Sequence, residues 1–140
     1  MSKTIAIVPP TKVTPAWLTQ ALRLNSIDAT VSGIKIETVG TGQLGETRRF
    51  ILEYHGAVPD NAPATLVGKF PSDSEVARQS GRDLGFYRSE VMFYREAAHR
   101  AVIKTPRKYV AEIDDQGDFV LLLEDMAPAK PGDQIAGCSL

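Results

Sequence analysis

One long helical pattern, set between shorter strand patterns, constrains the fold of this chain more than any other feature. From Leu84 to Ala101 the apolar residues fall three and four positions apart, which is typical of one face of an α-helix. On both sides of this segment the apolar residues instead alternate or form short runs, as they do in strands. A chain of 140 residues has room for about one hydrophobic core. The sequence therefore predicts a two-layer α+β domain in which one main helix covers a sheet.

The remaining elements follow from local signals. A short N-terminal helix is predicted because Thr14 can cap a helix that begins at Pro15. The polar segment 114–118 is typical of a turn, so the strands beside it are expected to form a hairpin. Residues 120–123 are all apolar, which predicts that both faces of that strand are covered. In total we expect five strands in a mostly antiparallel sheet, near 31–39, 48–54, 64–70, 109–113 and 119–124.

Composition excludes several classes of function. The net charge is -1, so the chain lacks the broad positive surface of a protein that binds nucleic acid. The one cysteine, Cys138, cannot form an internal disulfide, and no Cys/His cluster is present to hold zinc. No stretch approaches about 18 apolar residues, the length at which a transmembrane helix would be considered. We expect a soluble, cytoplasmic protein with no nucleic-acid or membrane partner.

Three glycines form a GxGxxG pattern within VGTGQLGETRRF: Gly40, Gly42 and Gly45. Such a pattern can be an ordinary hairpin turn. A dinucleotide-binding fingerprint would lead into a helix, yet strand alternation follows here. A P-loop would continue with Lys and Ser or Thr, yet Glu46 and Thr47 follow the last glycine. What remains beside the ordinary turn is a hairpin tip whose backbone N–H groups can approach phosphates.

Lys69 interrupts the apolar strand LVGKF and needs either solvent or an anion. Alone it would be assigned to an exposed edge strand, but the upstream glycine hairpin favours phosphate binding. At about 100° per residue, Glu90 flanks the apolar stripe of the main helix and can face the sheet. Glu96 points away and precedes Arg100 by four residues, an exposed helix pair. The alternative for Glu90 is an ordinary surface carboxylate.

The last strand ends in two acids, Glu124 and Asp125, before a Pro-rich segment. One interpretation is a core strand that meets a surface turn, where Pro128 ends it. The other is that the backbone just past Leu123 is unpaired and offers an adenine ring one acceptor and one donor.

Together, in this order, the glycine hairpin, the strand lysine, the helix glutamate and the apolar strand before a linker resemble a known family. It is the phosphotransferase family that includes aminoglycoside phosphotransferases, choline kinases and ecdysteroid kinase-like enzymes, and the likeness extends from about Ile34 onward. The resemblance implies a protein-kinase-like N-terminal lobe over residues 1–126. It also implies that residues 127–140 are a hinge or linker toward a C-terminal lobe. Within that segment, Asp133, Gln134 and Gly137 resemble the start of the stretch that leads into the C-terminal lobe.

The resemblance further implies roles for individual residues. Lys69 would contact the α and β phosphates of ATP while paired to Glu90, and these two are the candidate catalytic residues. Leu123 would be the gatekeeper, and the Glu124 carbonyl and the Met126 amide would hold adenine. The hairpin over the phosphates would comprise Gly40, Thr41, Gly42, Gln43, Leu44 and Gly45.

The implied activity is transfer of the ATP γ-phosphate to a small hydroxylated metabolite or drug. The acceptor pocket, the catalytic Asp and the Mg²⁺ ligands would come from the C-terminal lobe, in motifs such as HxDxxxxN. His55 and His99 are isolated, and neither has an Asp two residues later. We therefore expect this chain alone to be inactive and to self-associate through an exposed lobe interface. The alternative is a stand-alone α+β binding module without nucleotide chemistry.

Overall fold

The structure is a computed structural model that describes residues 5–39, 45–72, 74–97 and 105–126. Its helices are α1 (Pro15–Leu24), α2 (Glu75–Asp83) and α3 (Phe86–Met92), with a 3-10 turn at Pro10–Lys12 and a π-helical turn at Phe93–Ala97. Its strands are β1 (Thr30–Thr38), β2 (Gly45–His55), β3 (Thr65–Pro71), β4 (Lys108–Ile113) and β5 (Phe119–Glu124).

The strands form one sheet in the order β1-β2-β3-β5-β4, and each neighbouring pair is antiparallel. The predicted α+β class, the five strands and the β4–β5 hairpin are therefore confirmed. β3 lies in the middle of the sheet, between β2 and β5. The edge-strand interpretation of Lys69 is wrong for this reason.

The two faces of the sheet are covered by different helices. On the face that we call the α1 face, Phe50, Leu66, Phe70, Val120 and Leu122 pack with α1 and the extended N-terminal segment. On the opposite side, the α3 face, Leu121 and Leu123 pack with the helix residues Tyr87 and Val91. The prediction that both faces of 120–123 are covered is confirmed, because successive β5 residues alternate between the two clusters.

The first helix begins where its capping signal places it. The Thr14 hydroxyl accepts a hydrogen bond from the Trp17 backbone N–H at 3.1 Å, and Pro15 occupies the first turn. The Trp17 indole N–H donates to the Ala6 carbonyl at 2.8 Å. This bond ties the N-terminal segment to α1, which then covers the sheet.

The predicted main helix is present, but it begins at Phe86 and not at Leu84. Leu84 ends α2 and is 66% exposed, and Gly85 has φ +73°, a conformation that interrupts the helix before Phe86. The helical geometry then widens to a π-helical turn from Phe93. Residues 98–101 of the predicted helix lie outside the described residues.

α2 was not predicted, because few of its residues are apolar. Its N-terminus is capped by the Ser74 hydroxyl, which accepts from the Ala77 N–H at 3.4 Å. Long-range contacts hold it in place: Arg78 and Arg82 both donate to Asp118 Oδ1, at 3.0 and 3.1 Å. Across the part of the chain that the structure describes, no helix is long and apolar enough to cross a membrane.

Candidate functional site

Lys69 lies on the central strand with its side chain on the α3 face. In the strand register it is opposite Thr47 of β2 and Leu121 of β5. Directly opposed residues share a face of a sheet, so Lys69 lies on the same face as the buried side chain of Leu121. The residues on either side, Gly68 and Phe70, are buried on the α1 face. A lysine on this strand therefore needs a partner or an anion above the sheet.

That partner is Glu90 of α3. The Lys69 Nζ atom lies 2.6 Å from Glu90 Oε2, a charge-assisted hydrogen bond. The two side chains are 35% and 36% exposed, so the pair is within reach of a ligand. Glu90 takes this position because its neighbour Val91 is fully buried and fixes the rotation of α3 against the sheet. The predicted contact between Lys69 and Glu90 is present.

Tyr94 stands one helical turn beyond Glu90, beside the ion pair. Burial raises the pKa of Tyr94, the Lys69 ammonium lowers it and the Glu90 carboxylate raises it again, with a net increase. The phenol therefore remains neutral at physiological pH. Its ring contacts Phe93 edge to face, with centroids 5.1 Å apart. Sequence reasoning placed Tyr94 only on the apolar stripe and missed its proximity to the charged pair.

An apolar row lies next to the ion pair on the α3 face. Val67 precedes Lys69 by two residues and is opposite Leu123 of β5. Leu123 is 3% exposed and packs in the cluster beneath α3, whereas Val67 is only partly buried. The site thus offers a hydrophobic surface beside a cation, which suits a ligand with a flat apolar part and an anionic part.

The chain leaves the sheet close to this row. Glu124 is the last residue of β5, and its N–H donates to the Arg107 carbonyl at 2.8 Å. Its side chain accepts from the Arg107 N–H at 3.0 Å, which fixes the strand end to the segment before β4. Met126, two residues further on, is 37% exposed. The hydrogen bonds predicted between these backbone groups and adenine stay a prediction.

A second ion pair on the same face was missed from the sequence. Arg49 of β2 is opposite Val67, and its Nε atom lies 2.8 Å from Asp125 Oδ2. The Asp125 side chain is only 4% exposed, and the hydrogen bond that Arg49 donates to this carboxylate raises the pKa of Arg49. Glu37 lies 3.7 Å from Arg49 on the other side. The alternation of Phe50, Leu52 and Tyr54 places Arg49 on the opposite face of β2, where an exposed arginine is ordinary, so the sequence offered no signal for its partner.

Several predicted residues fall outside the described part of the chain: the hairpin tip 40–44, His99, Arg100, and the linker 127–140 with Asp133, Gln134, Gly137 and Cys138. Gly45 is described and is the first residue of β2, opposite Pro71 at the end of β3. The hairpin tip therefore joins β1 to the end of β2 nearest Lys69. Within the described ranges, no group of three or more His, Cys, Asp or Glu side chains could hold a metal ion.

A third polar cluster lies at the end of the sheet nearest Lys69, where β3 ends and β5 begins. A cavity of about 280 Å³ there is lined by the N-terminal segment, Pro71, Arg78 and Asp118. The Nε atoms of Arg78 and Arg82 are buried and have no hydrogen-bond partner among the described residues. Because these atoms are covered, a ligand in the cavity cannot reach them. We assign this cluster to the docking of α2 and not to a binding site.

Comparison with known proteins provides no assignment for these features. No protein-family model matches the sequence, and no characterised protein matches it either.

Proposed function

We propose that this chain is the ATP-binding lobe of a small-molecule kinase, an ATP-dependent phosphotransferase. The observation that carries the proposal is the accessible ion pair between Lys69, on the central strand, and Glu90, on the helix above it. In kinases of this general design, a strand lysine held by a helix carboxylate contacts the phosphates of ATP.

The pair is poorly explained as a stabilising contact. Ion pairs that are about one-third exposed contribute on the order of 0–1 kcal/mol to folding. An apolar residue at position 69 would avoid the cost of placing an ammonium between the buried positions 68 and 70. A lysine at this position is explained if its ammonium also binds an anionic ligand.

The surroundings of the pair match the other parts of ATP. Val67 would supply an apolar surface for the adenine ring, supported from beneath by the buried Leu123, and the backbone at Glu124 and Met126 would supply its polar partners. The glycine hairpin would cover the phosphates with backbone N–H groups. Group transfer also needs a catalytic carboxylate and Mg²⁺ ligands, which the family resemblance assigns to a C-terminal lobe that also binds the hydroxylated substrate.

Calorimetric titration of the 140-residue chain with ATP and Mg²⁺ tests the proposal. We expect saturable binding that weakens at least about tenfold in Lys69→Ala, because one charge-assisted contact to phosphate is lost. The matched control is Lys35→Ala, since Lys35 is an exposed lysine of the edge strand β1, which β2 separates from β3. It should bind ATP as the wild type does.

Two results would refute the proposal: no binding of ATP to the wild type, or equal affinities of the wild type and Lys69→Ala. Either result would favour the alternative of an α+β binding module without nucleotide chemistry. Circular dichroism of each variant verifies that the fold is retained.

A further inference from the structure

Arg49 and Asp125 connect the sheet to the segment that follows β5. Asp125 is the residue between Glu124 and Met126, and it lies beyond the last residue of the β5 ladder. Its carboxylate is held by Arg49 through Nε at 2.8 Å and through Nη2 at 3.4 Å. Arg49 is opposite Val67, which is opposite Leu123, so one cross-strand row carries both the apolar surface and the tether.

The carboxylate of Asp125 is placed where it is costly. With 4% of its side chain exposed, it has lost most of its hydration, and such a pair commonly stabilises a fold no better than apolar residues of similar size. The effect of the ion pair is to fix the geometry of the chain. A two-point contact from a planar guanidinium restrains both the position and the orientation of the carboxylate. The backbone from Glu124 to Met126 is thereby held at a fixed distance from Val67.

A fixed backbone at this point discriminates between purines. On its Watson–Crick edge, adenine presents the N6 amino group as a donor next to the N1 acceptor. On the same edge, guanine presents the O6 acceptor next to the N1–H donor. A carbonyl at Glu124 and an N–H at Met126 complement adenine and oppose guanine. If the backbone between Glu124 and Met126 is free to rotate, the same segment can present an N–H and a carbonyl in the reverse order, which complements guanine.

We propose that Arg49 and Asp125 are positioning residues that make the site selective for adenine over guanine nucleotides. This inference deepens the proposed function and depends on it. The two residues act through the backbone from Glu124 to Met126 and need not touch the nucleotide.

The test is the ratio of the dissociation constants for GTP and ATP, each measured with Mg²⁺ on the full chain. Both ligands carry the same ribose and triphosphate, so a general loosening of the lobe weakens both and leaves the ratio unchanged. In Asp125→Asn and in Arg49→Gln we expect the ratio to fall by at least about tenfold, since correctly paired hydrogen bonds to the base lose their advantage. Arg49→Lys, which keeps the charge but loses the two-point geometry, should give an intermediate ratio.

The matched control is Arg48→Gln. Arg48 is the adjacent residue, opposite Gly68, and it pairs with Glu46 at 3.2 Å on the α1 face. Removing this neighbouring ion pair should leave the GTP/ATP ratio as in the wild type. If Asp125→Asn fails to fold, the comparison of Arg49→Lys with Arg48→Gln decides the question alone.

The two proposals fail in different ways. An unchanged ratio in the Arg49 and Asp125 variants, with ATP binding that still depends on Lys69, would overturn the positioning role and leave the proposed function intact. Absence of ATP binding in the wild type would overturn both proposals. A ratio that falls equally in Arg48→Gln would show that any ion pair of β2 has this effect, which also overturns the inference.

Discussion

The two faces of the sheet are built from the same strands but have different chemistry. The α1 face carries the larger cluster of buried apolar side chains, including Phe50, Leu66 and Phe70. The α3 face has a smaller apolar cluster, beside which lie the Lys69–Glu90 and Arg49–Asp125 ion pairs. This difference is the basis of the proposal that the α1 face mainly stabilises the fold and the α3 face binds the nucleotide. Substitutions on the two faces should therefore have separable effects.

The largest effect on stability is expected for Phe50→Ala on the α1 face. Phe50 is fully buried and contacts Phe70 edge to face, with ring centroids 6.1 Å apart. Its truncation should lower the free energy of unfolding by about 3–5 kcal/mol, measured by urea denaturation. The control is Ile36→Ala, directly opposite on β1 but 45% exposed, for which we expect less than about 1 kcal/mol. Equal losses would contradict the assignment of Phe50 to the core and of Ile36 to its exposed margin.

A smaller loss is expected for Gly68→Ala, which tests how tightly the α1 face is packed. A Cβ atom at Gly68 would lie 2.7 Å from Phe50 Cε2 and 2.8 Å from Phe70 Cε2. The resulting overpacking should cost about 1–3 kcal/mol of unfolding free energy. At Gly33 of β1 the nearest atom to such a Cβ is 3.6 Å away, so Gly33→Ala should change stability by less than about 0.5 kcal/mol. Similar melting temperatures of the two variants would argue against this close packing.

The behaviour of Tyr54 at high pH sharpens the comparison further. Its hydroxyl donates to the Pro63 carbonyl, and burial raises its pKa from about 10 to about 12, with a smaller contribution from Tyr109. Because the folded-state pKa is the higher one, this contribution to stability is complete below about pH 10 and is lost as the pH rises toward about 12.

In denaturant titrations at successive pH values, the unfolding free energy of the wild type should fall more steeply over that interval than that of Tyr54→Phe. Parallel curves for the two proteins would contradict the assigned pKa increase.

The smallest effect on stability is expected on the α3 face. In a double-mutant cycle of Lys69→Met and Glu90→Gln, the coupling in unfolding free energy should be about 1 kcal/mol or less, because both side chains are about one-third exposed. A coupling of several kcal/mol would make the pair a structural element of the fold. The division between the two faces would then not hold.

The parts of this molecule that could be predicted from the sequence depend on local signals. The cap at Thr14, the turn at 114–118 and the apolar run at 120–123 each specify their structure within a few residues. The contact between Lys69 and Glu90 could also be predicted, since the phase of one helix decides which carboxylate can face the sheet.

The parts that were not predicted depend on distant partners or on a single backbone angle. Arg49 and Asp125 are 76 residues apart, and no period in the sequence relates them. α2 is positioned by Arg78 and Arg82, which contact a turn 40 and 36 residues later. The start of α3 at Phe86 depends on the positive φ of Gly85, whereas the apolar spacing alone also admits Leu84 into the helix.

Methyl NMR of the chain during titration with ATP and Mg²⁺ tests the central claim most directly. Val67 and Leu123 place their methyl groups on the α3 face, whereas their neighbours Leu66 and Leu122 place theirs on the α1 face. We predict saturable shifts of the Val67 and Leu123 signals, with the Leu66 and Leu122 signals nearly unmoved. Shifts confined to Leu66 and Leu122, or no shifts at all, would contradict a nucleotide site on the α3 face.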